Sequence, residues 1–157
     1  VPTLAEVLGL LRGRARALIE IKHEAVAETD DGIEALAVAE VLRTGQAAEV
    51  AFLSFSRKAL LRCRKHAPEV PRGHIFYRAT AEEILEAAAE AGTDLVMPEK
   101  GMLTAELVSV LQAARLRVAT WVVDDVEELQ ALRPYGLFGV GSNRPGVLIA
   151  ALAEWTE

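Results

Sequence analysis

Glu20 and Lys22 stand two residues apart inside the apolar run Ala17-Leu18-Ile19-Glu20-Ile21-Lys22. On a strand, side chains alternate between faces, so Leu18, Glu20 and Lys22 share one side and Ile19 and Ile21 the other. A carboxylate beside an ammonium suits a phosphate. The carboxylate oxygens can hold a hard divalent cation, and the cation and the lysine can divide the phosphate charge. The same spacing serves equally well as a structural Glu–Lys ion pair. At the open end of a strand either form stays partly hydrated and escapes the cost of full burial, which is several kcal/mol per ion.

Other reactive side chains carry weaker signals. Trp121 shares a strand face with Ala119 and Val123. Its indole is either a ring at a substrate mouth or a core ring with a bonded N–H. Ser54 ends an apolar strand but has no adjacent base and no G-x-S-x-G elbow, so it is a poor nucleophile. Cys63 is the only cysteine, which excludes an intrachain disulfide and a cysteine metal cluster, and it reads as a semi-buried thiol. His23, His66 and His74 fall in no catalytic pattern and read as surface or packing residues. Arg57, Lys58, Arg62, Arg64 and Lys65 recur at helical spacing and are expected to be a solvated helix face rather than a phosphate patch.

These residues need a frame. Thr3, with Glu6 three residues on, opens a helix through a capping box. Strands are expected at 17–22, 50–55, 73–77, 94–97, 118–123 and 138–140. Helices are expected at 31–44, 57–67, 81–91, 104–114, 126–132 and 146–155, the first of these stopping near Gly45. The strands are short and continuously apolar, which means cover on both faces. Strand–helix alternation of this kind gives a parallel sheet. It fits an open doubly wound sheet or a (β/α) barrel. No G-x-G-x-x-G or P-loop pattern supports a nucleotide fold. A length of 157 residues, 52% of them hydrophobic, suits one domain with a real core, taken as 1–157. The net charge of -6 argues against nucleic acid as a partner. No apolar run approaches a membrane span and no signal peptide is visible, so the cytoplasm is the expected compartment.

The succession of motifs resembles the glycerophosphodiester phosphodiesterase family. The residues that carry the likeness are Pro2-Thr3-Leu4-Ala5-Glu6-Val7-Leu8, Ile19-Glu20-Ile21-Lys22, Leu53-Ser54-Phe55-Ser56 and Ala67-Pro68-Glu69-Val70-Pro71. Further on come Leu103-Thr104-Ala105-Glu106-Leu107-Val108, Trp121-Val122-Val123-Asp124-Asp125 and Asn143-Arg144-Pro145. The likeness implies a TIM-type (β/α) barrel of parallel strands, with about six of its eight strand–helix units present here. It implies metal-assisted hydrolysis of a small phosphodiester to an alcohol and glycerol phosphate, with calcium or magnesium as the divalent cation. By the same likeness Glu20 matches a metal ligand, Lys22 a phosphate-contacting lysine and Trp121 an aromatic that lines the substrate mouth.

The resemblance also implies parts this sequence does not supply. The family's His-Arg-Gly motif, its Glu-x-Asp metal ligands and a second histidine belong to strands ahead of the Pro2-Thr3-Leu4 segment, so the domain is expected to be N-terminally incomplete. No acid–base residue is assigned. Val122 and Asp124 stand where the family shows Thr and Asn, and Ser142 where it shows Thr before Asn143-Arg144-Pro145. Six strands of an eight-stranded barrel would leave apolar edges open. The missing strands then lie elsewhere, a partner or second copy covers the edges, or an open sheet persists as a noncatalytic binding or assembly module.

Overall fold

The computed structural model describes Val1–Glu154. The chain divides into two compact units, one of residues 1–75 with 87–93, the other of 76–86 with the chain from Asp94 onward.

The first unit opens with helix α1 (Leu4–Leu11). Thr3 and Glu6 form the expected capping box: the Thr3 N–H donates to Glu6 Oε2 at 2.7 Å, and the Glu6 N–H to Thr3 Oγ1 at 3.3 Å. Strand β1 (Ala17–Glu20) follows, then helix α2 (Gly32–Thr44). α2 stops at Gly45, whose φ of 68° is left-handed and costs glycine least. Strand β2 (Val50–Ser54), helix α3 (Arg57–His66) and strand β3 (Arg72–Phe76) come next. Ser56 opens α3 by accepting the Ala59 N–H at 3.3 Å. β1 pairs parallel with β2, Ala17 opposite Val50 and Glu20 opposite Leu53. β2 pairs parallel with β3, Phe52 opposite Arg72. Leu8, Ile21, Val38, Val41, Phe52 and Cys63 form the buried core, with Ile19 packed against it.

The alternation expected on the first strand is present. Ile21 is buried and Ile19 partly so, whereas Leu18 is 60% exposed on the side of Glu20. The strand is shorter than expected and ends at Glu20. One more ladder bond, from the Ile21 N–H to the Leu53 carbonyl at 2.8 Å, carries the extended chain on. Lys22 then leads into a short 3-10 turn at His23–Ala25.

Helix α4 (Ala81–Ala91) contributes residues to both units. The second unit holds strand β4 (Leu95–Pro98), helix α5 (Ala105–Ala113), strand β5 (Arg117–Thr120), helix α6 (Val126–Leu132), strand β6 (Gly139–Val140) and helix α7 (Pro145–Glu154). The expected end of the last helix, Trp155, lies outside the described residues. β4 pairs parallel with β5, Val96 opposite Val118, and β5 with β6, Thr120 opposite Val140. Thr104 caps α5 and Asp125 caps α6 through their side-chain oxygens. Val123, Leu129 and Leu148 form an apolar cluster under α6 and α7. The fifth strand stops at Thr120 rather than 123, and Trp121 meets Glu99 in a single parallel bridge beyond it.

Candidate functional site

β1 ends at Glu20, and the extended step through Ile21 returns Lys22 to the same face. There the Lys22 ammonium donates to Glu20 Oε2 at 2.7 Å. The Lys22 side chain is 66% exposed and that of Glu20 only 28%. The other carboxylate oxygen, Oε1, is buried and has no hydrogen-bond partner. An ion pair this exposed contributes about 0–1 kcal/mol to stability, while a buried acceptor left unmatched costs about 1–3 kcal/mol. Stability alone does not account for the arrangement, and Oε1 is a buried acceptor whose lone pairs are unmatched.

The intervening residue is fixed from two sides. Its N–H donates to Leu53, and its carbonyl accepts the Ser54 hydroxyl at 2.7 Å. Ser54 is fully buried and its oxygen also accepts the Ser56 N–H at 2.9 Å. The serine proton is therefore committed to the backbone, and Ser54 is a brace rather than a nucleophile.

The histidines sit in three different settings. His23, on the 3-10 turn, places Nδ1 3.3 Å from Glu24 Oε2 and turns its ring edge-on to Phe55. His66, near the end of α3, contacts Asp31 at 2.6 Å. His74 is buried in β3 with Nε2 3.3 Å from the Phe55 carbonyl, and burial pushes its pKa down.

Trp121 belongs to the second unit. Its indole N–H donates to the Met97 carbonyl at 3.0 Å, which lays the partly exposed ring along β4. The Lys100 N–H donates to the Trp121 carbonyl at 3.1 Å. Trp121 is neither fully buried nor fully exposed.

Asp124 is held by side chain and backbone from a stretch 18 to 19 residues further along the chain. It accepts from Ser142 Oγ at 3.0 Å, the Asn143 N–H at 2.7 Å and Asn143 Nδ2 at 3.0 Å. These donors, the Asn143 side chain first, hold its carboxyl below the usual range. Asp124 and Ser142, two departures from the family pattern that the sequence resembles, are hydrogen-bonded to each other. Glu99 and Lys100 lie just beyond β4. Glu99 accepts the Gly101 N–H at 2.8 Å, and Lys100 pairs with Glu128, which raises the lysine pKa.

A hard divalent cation takes about six or more oxygens. The Glu20 carboxylate has the donor type of one such ligand. Among the described residues no group of three or more His, Cys, Asp or Glu side chains could hold a metal ion. The described residues thus gather no complete ligand set for such a cation. No helix among the described residues is long and apolar enough to cross a membrane.

The model of the glycerophosphoryl diester phosphodiesterase family matches residues 1–147. Among solved structures, a protein assigned as a glycerophosphoryl diester phosphodiesterase from Silicibacter pomeroyi superposes with a TM-score of 0.85 at 28% identity, over 99% of this chain and 57% of its own. The glycerophosphodiester phosphodiesterase of Agrobacterium tumefaciens matches with a TM-score of 0.76 at 22% identity, over 96% of this chain and 62% of its own. An Oleispira antarctica phosphodiesterase, solved with the product sn-glycerol-3-phosphate, matches with a TM-score of 0.79 at 20% identity, over 97% of this chain and 61% of its own. The chain spans between 57% and 62% of the length of these three. No curated protein matches it. The shared fold class is α/β of the TIM type, built of parallel strand–helix units, and the described residues carry six strands of it.

Proposed function

Because this chain belongs to the glycerophosphoryl diester phosphodiesterase family, we propose that it is the phosphate-engaging portion of a glycerophosphodiester hydrolase, read as one domain. The observation that carries this reading is the Glu20–Lys22 pair at 2.7 Å, with Glu20 Oε1 buried and unmatched beside an exposed ammonium. The product named for the Oleispira antarctica relative, sn-glycerol-3-phosphate, has the anionic group such a pair would take.

In the reaction proposed, the bond between phosphorus and the leaving alcohol oxygen breaks. A new bond forms between phosphorus and the oxygen of water. One water proton ends on the alcohol, and the other product is glycerol phosphate. Negative charge grows on the non-bridging oxygens as this happens, and a preorganised ammonium lowers its energy. That is the part assigned to Lys22. Glu20 orients Lys22 through Oε2 and offers Oε1 as a single ligand toward calcium or magnesium. A divalent cation supplies Lewis-acid polarisation of the phosphate when bound, but the described residues gather no full ligand set, and no step is routed through it. From the family likeness, Trp121 is proposed as an aromatic that contacts substrate carbon. No residue of this chain is assigned the proton transfers.

The settings of the three histidines, each beside a partner of its own, favour a second reading. In it the same Glu20–Lys22 pair holds a phosphate ligand without turning it over. Hydrolysis of glycerophosphocholine with added calcium, by the wild-type chain and by Glu20→Ala, separates the two. Turnover that falls with the substitution supports the hydrolase. Absence of turnover with phosphate binding retained supports the binding module. Turnover indifferent to Glu20→Ala removes the role given to that carboxylate.

A further inference from the structure

Of the basic residues of α3, Arg57, Arg64, Lys65 and His66 are exposed, as a solvated face requires, whereas Lys58 and Arg62 are partly buried. Four of them face the segment that follows Lys22. Lys58 pairs with Glu28 at 2.8 Å, and Lys65 and His66 meet Asp31 at 3.0 and 2.6 Å. Arg62 reaches deepest. It donates to the Ala27 carbonyl at 2.8 Å, to the Glu28 carbonyl at 3.4 Å and to Glu34 Oε1 at 3.2 Å. The Arg62 side chain is 15% exposed and that of Glu34 0%. Glu34 Oε2 has no hydrogen-bond partner, so Arg62 is the group that compensates this carboxylate.

A buried ion pair is poor evidence for stability, since an apolar pair of the same volume often does as well. Its better-attested use is to select one arrangement of the chain. The arrangement selected here runs back to Lys22 without a gap. The Lys22 carbonyl accepts the Ala25 N–H at 3.0 Å, and the His23 carbonyl accepts the Val26 N–H at 3.2 Å. Val26 packs against the core of the first unit. The next residue, Ala27, is the one Arg62 holds.

We propose that Arg62, oriented by the buried Glu34, is a positioning residue for Lys22, and that it pins the 23–31 segment so that the ammonium is presented to a ligand phosphate. This rests on the reading of Lys22 given above. Arg62 touches no ligand in this scheme. It fixes the backbone from which the binding side chain leaves, and so removes conformational freedom that binding would otherwise have to remove.

The test uses Arg62→Met/Glu34→Leu, which exchanges the pair for apolar side chains and keeps the packing, together with Arg62→Lys, which keeps the charge with fewer donors. Hydrogen exchange across residues 23–31 and calorimetric titration with sn-glycerol 3-phosphate are measured on both, on the wild-type chain and on Lys22→Ala. The double variant is expected to keep a cooperative unfolding transition. Its 23–31 amides should exchange faster and its affinity should fall about tenfold, the equivalent of one net hydrogen bond. Arg62→Lys should recover part of both losses. Exchange or affinity equal to wild type in the double variant overturns the inference. If that variant does not fold, Arg62→Lys decides, and wild-type values in both measurements overturn it. Binding that is absent in the wild type, or unaffected by Lys22→Ala, overturns the reading of Lys22 itself, and the role of Arg62 falls with it.

Discussion

The Ser54 hydroxyl donates to the Ile21 carbonyl at 2.7 Å, so β2 holds in place the one residue that separates Glu20 from Lys22. Ser54→Ala leaves that carbonyl and the Ser56 N–H without their partner in a fully buried position. The expected cost is about 1–3 kcal/mol in urea unfolding, with weaker phosphate binding as Ile21 loosens. A variant as stable as wild type would show that the brace is dispensable.

Cys63 is 1% exposed, and burial first, with the Glu34 carboxylate second, pushes its thiol up to about 12. The thiolate is the reactive form. Native protein at pH 8 is therefore expected to resist iodoacetamide and to react at the rate of a free thiol once unfolded in urea. Rapid labelling of the folded chain would contradict the burial.

Asp31 titrates far below its usual range. Hydrogen bonds from Lys65 first and His66 second lower its pKa from 3.8 to about 2. A carboxyl with a folded pKa below its unfolded one stabilises the fold when ionised. That contribution is complete above about pH 4 and is lost as the pH falls toward 2. Urea unfolding between pH 5 and pH 2, wild type against Asp31→Asn, is expected to show the wild type losing its advantage over that window. Parallel curves would rule out the linkage.

Asp124 joins the stretch after β5 to Ser142-Asn143 through three hydrogen bonds. Asp124→Ala is expected to speed amide exchange at Asn143 and Arg144. Asp124→Asn should do so less, because it keeps one acceptor oxygen and sets an amide group against that of Asn143. Exchange unchanged in the alanine variant would mean that this stretch is held by other contacts.

Local signals were legible in the sequence and distant ones were not. The Thr3–Glu6 box, the Gly45 stop and the alternation of Leu18, Ile19, Glu20 and Ile21 all depend on neighbours within a few residues, and the structure has each of them. So does the Glu20–Lys22 pair, which spacing on a strand brings together. The exposure of Arg57, Arg64 and Lys65 follows the helical spacing of α3, but the partners of Arg62, Lys65 and His66 do not, because they lie 28 to 35 residues away in the chain, beyond any helical period. The commitment of Ser54 to Ile21 was hidden for the same reason, across 33 residues. The fifth strand was drawn too long because Trp121, Val122 and Val123 continue its apolar, β-branched composition, while the ladder beyond Thr120 is reduced to one bridge.

The central claim is that Lys22, steadied by Glu20, engages a phosphate. Calorimetric titration of sn-glycerol 3-phosphate into wild type and Lys22→Ala tests it most directly. The lost charge-assisted hydrogen bond is expected to weaken binding by about 10- to 100-fold, with partial recovery in Lys22→Arg. Equal dissociation constants for wild type and Lys22→Ala would contradict it.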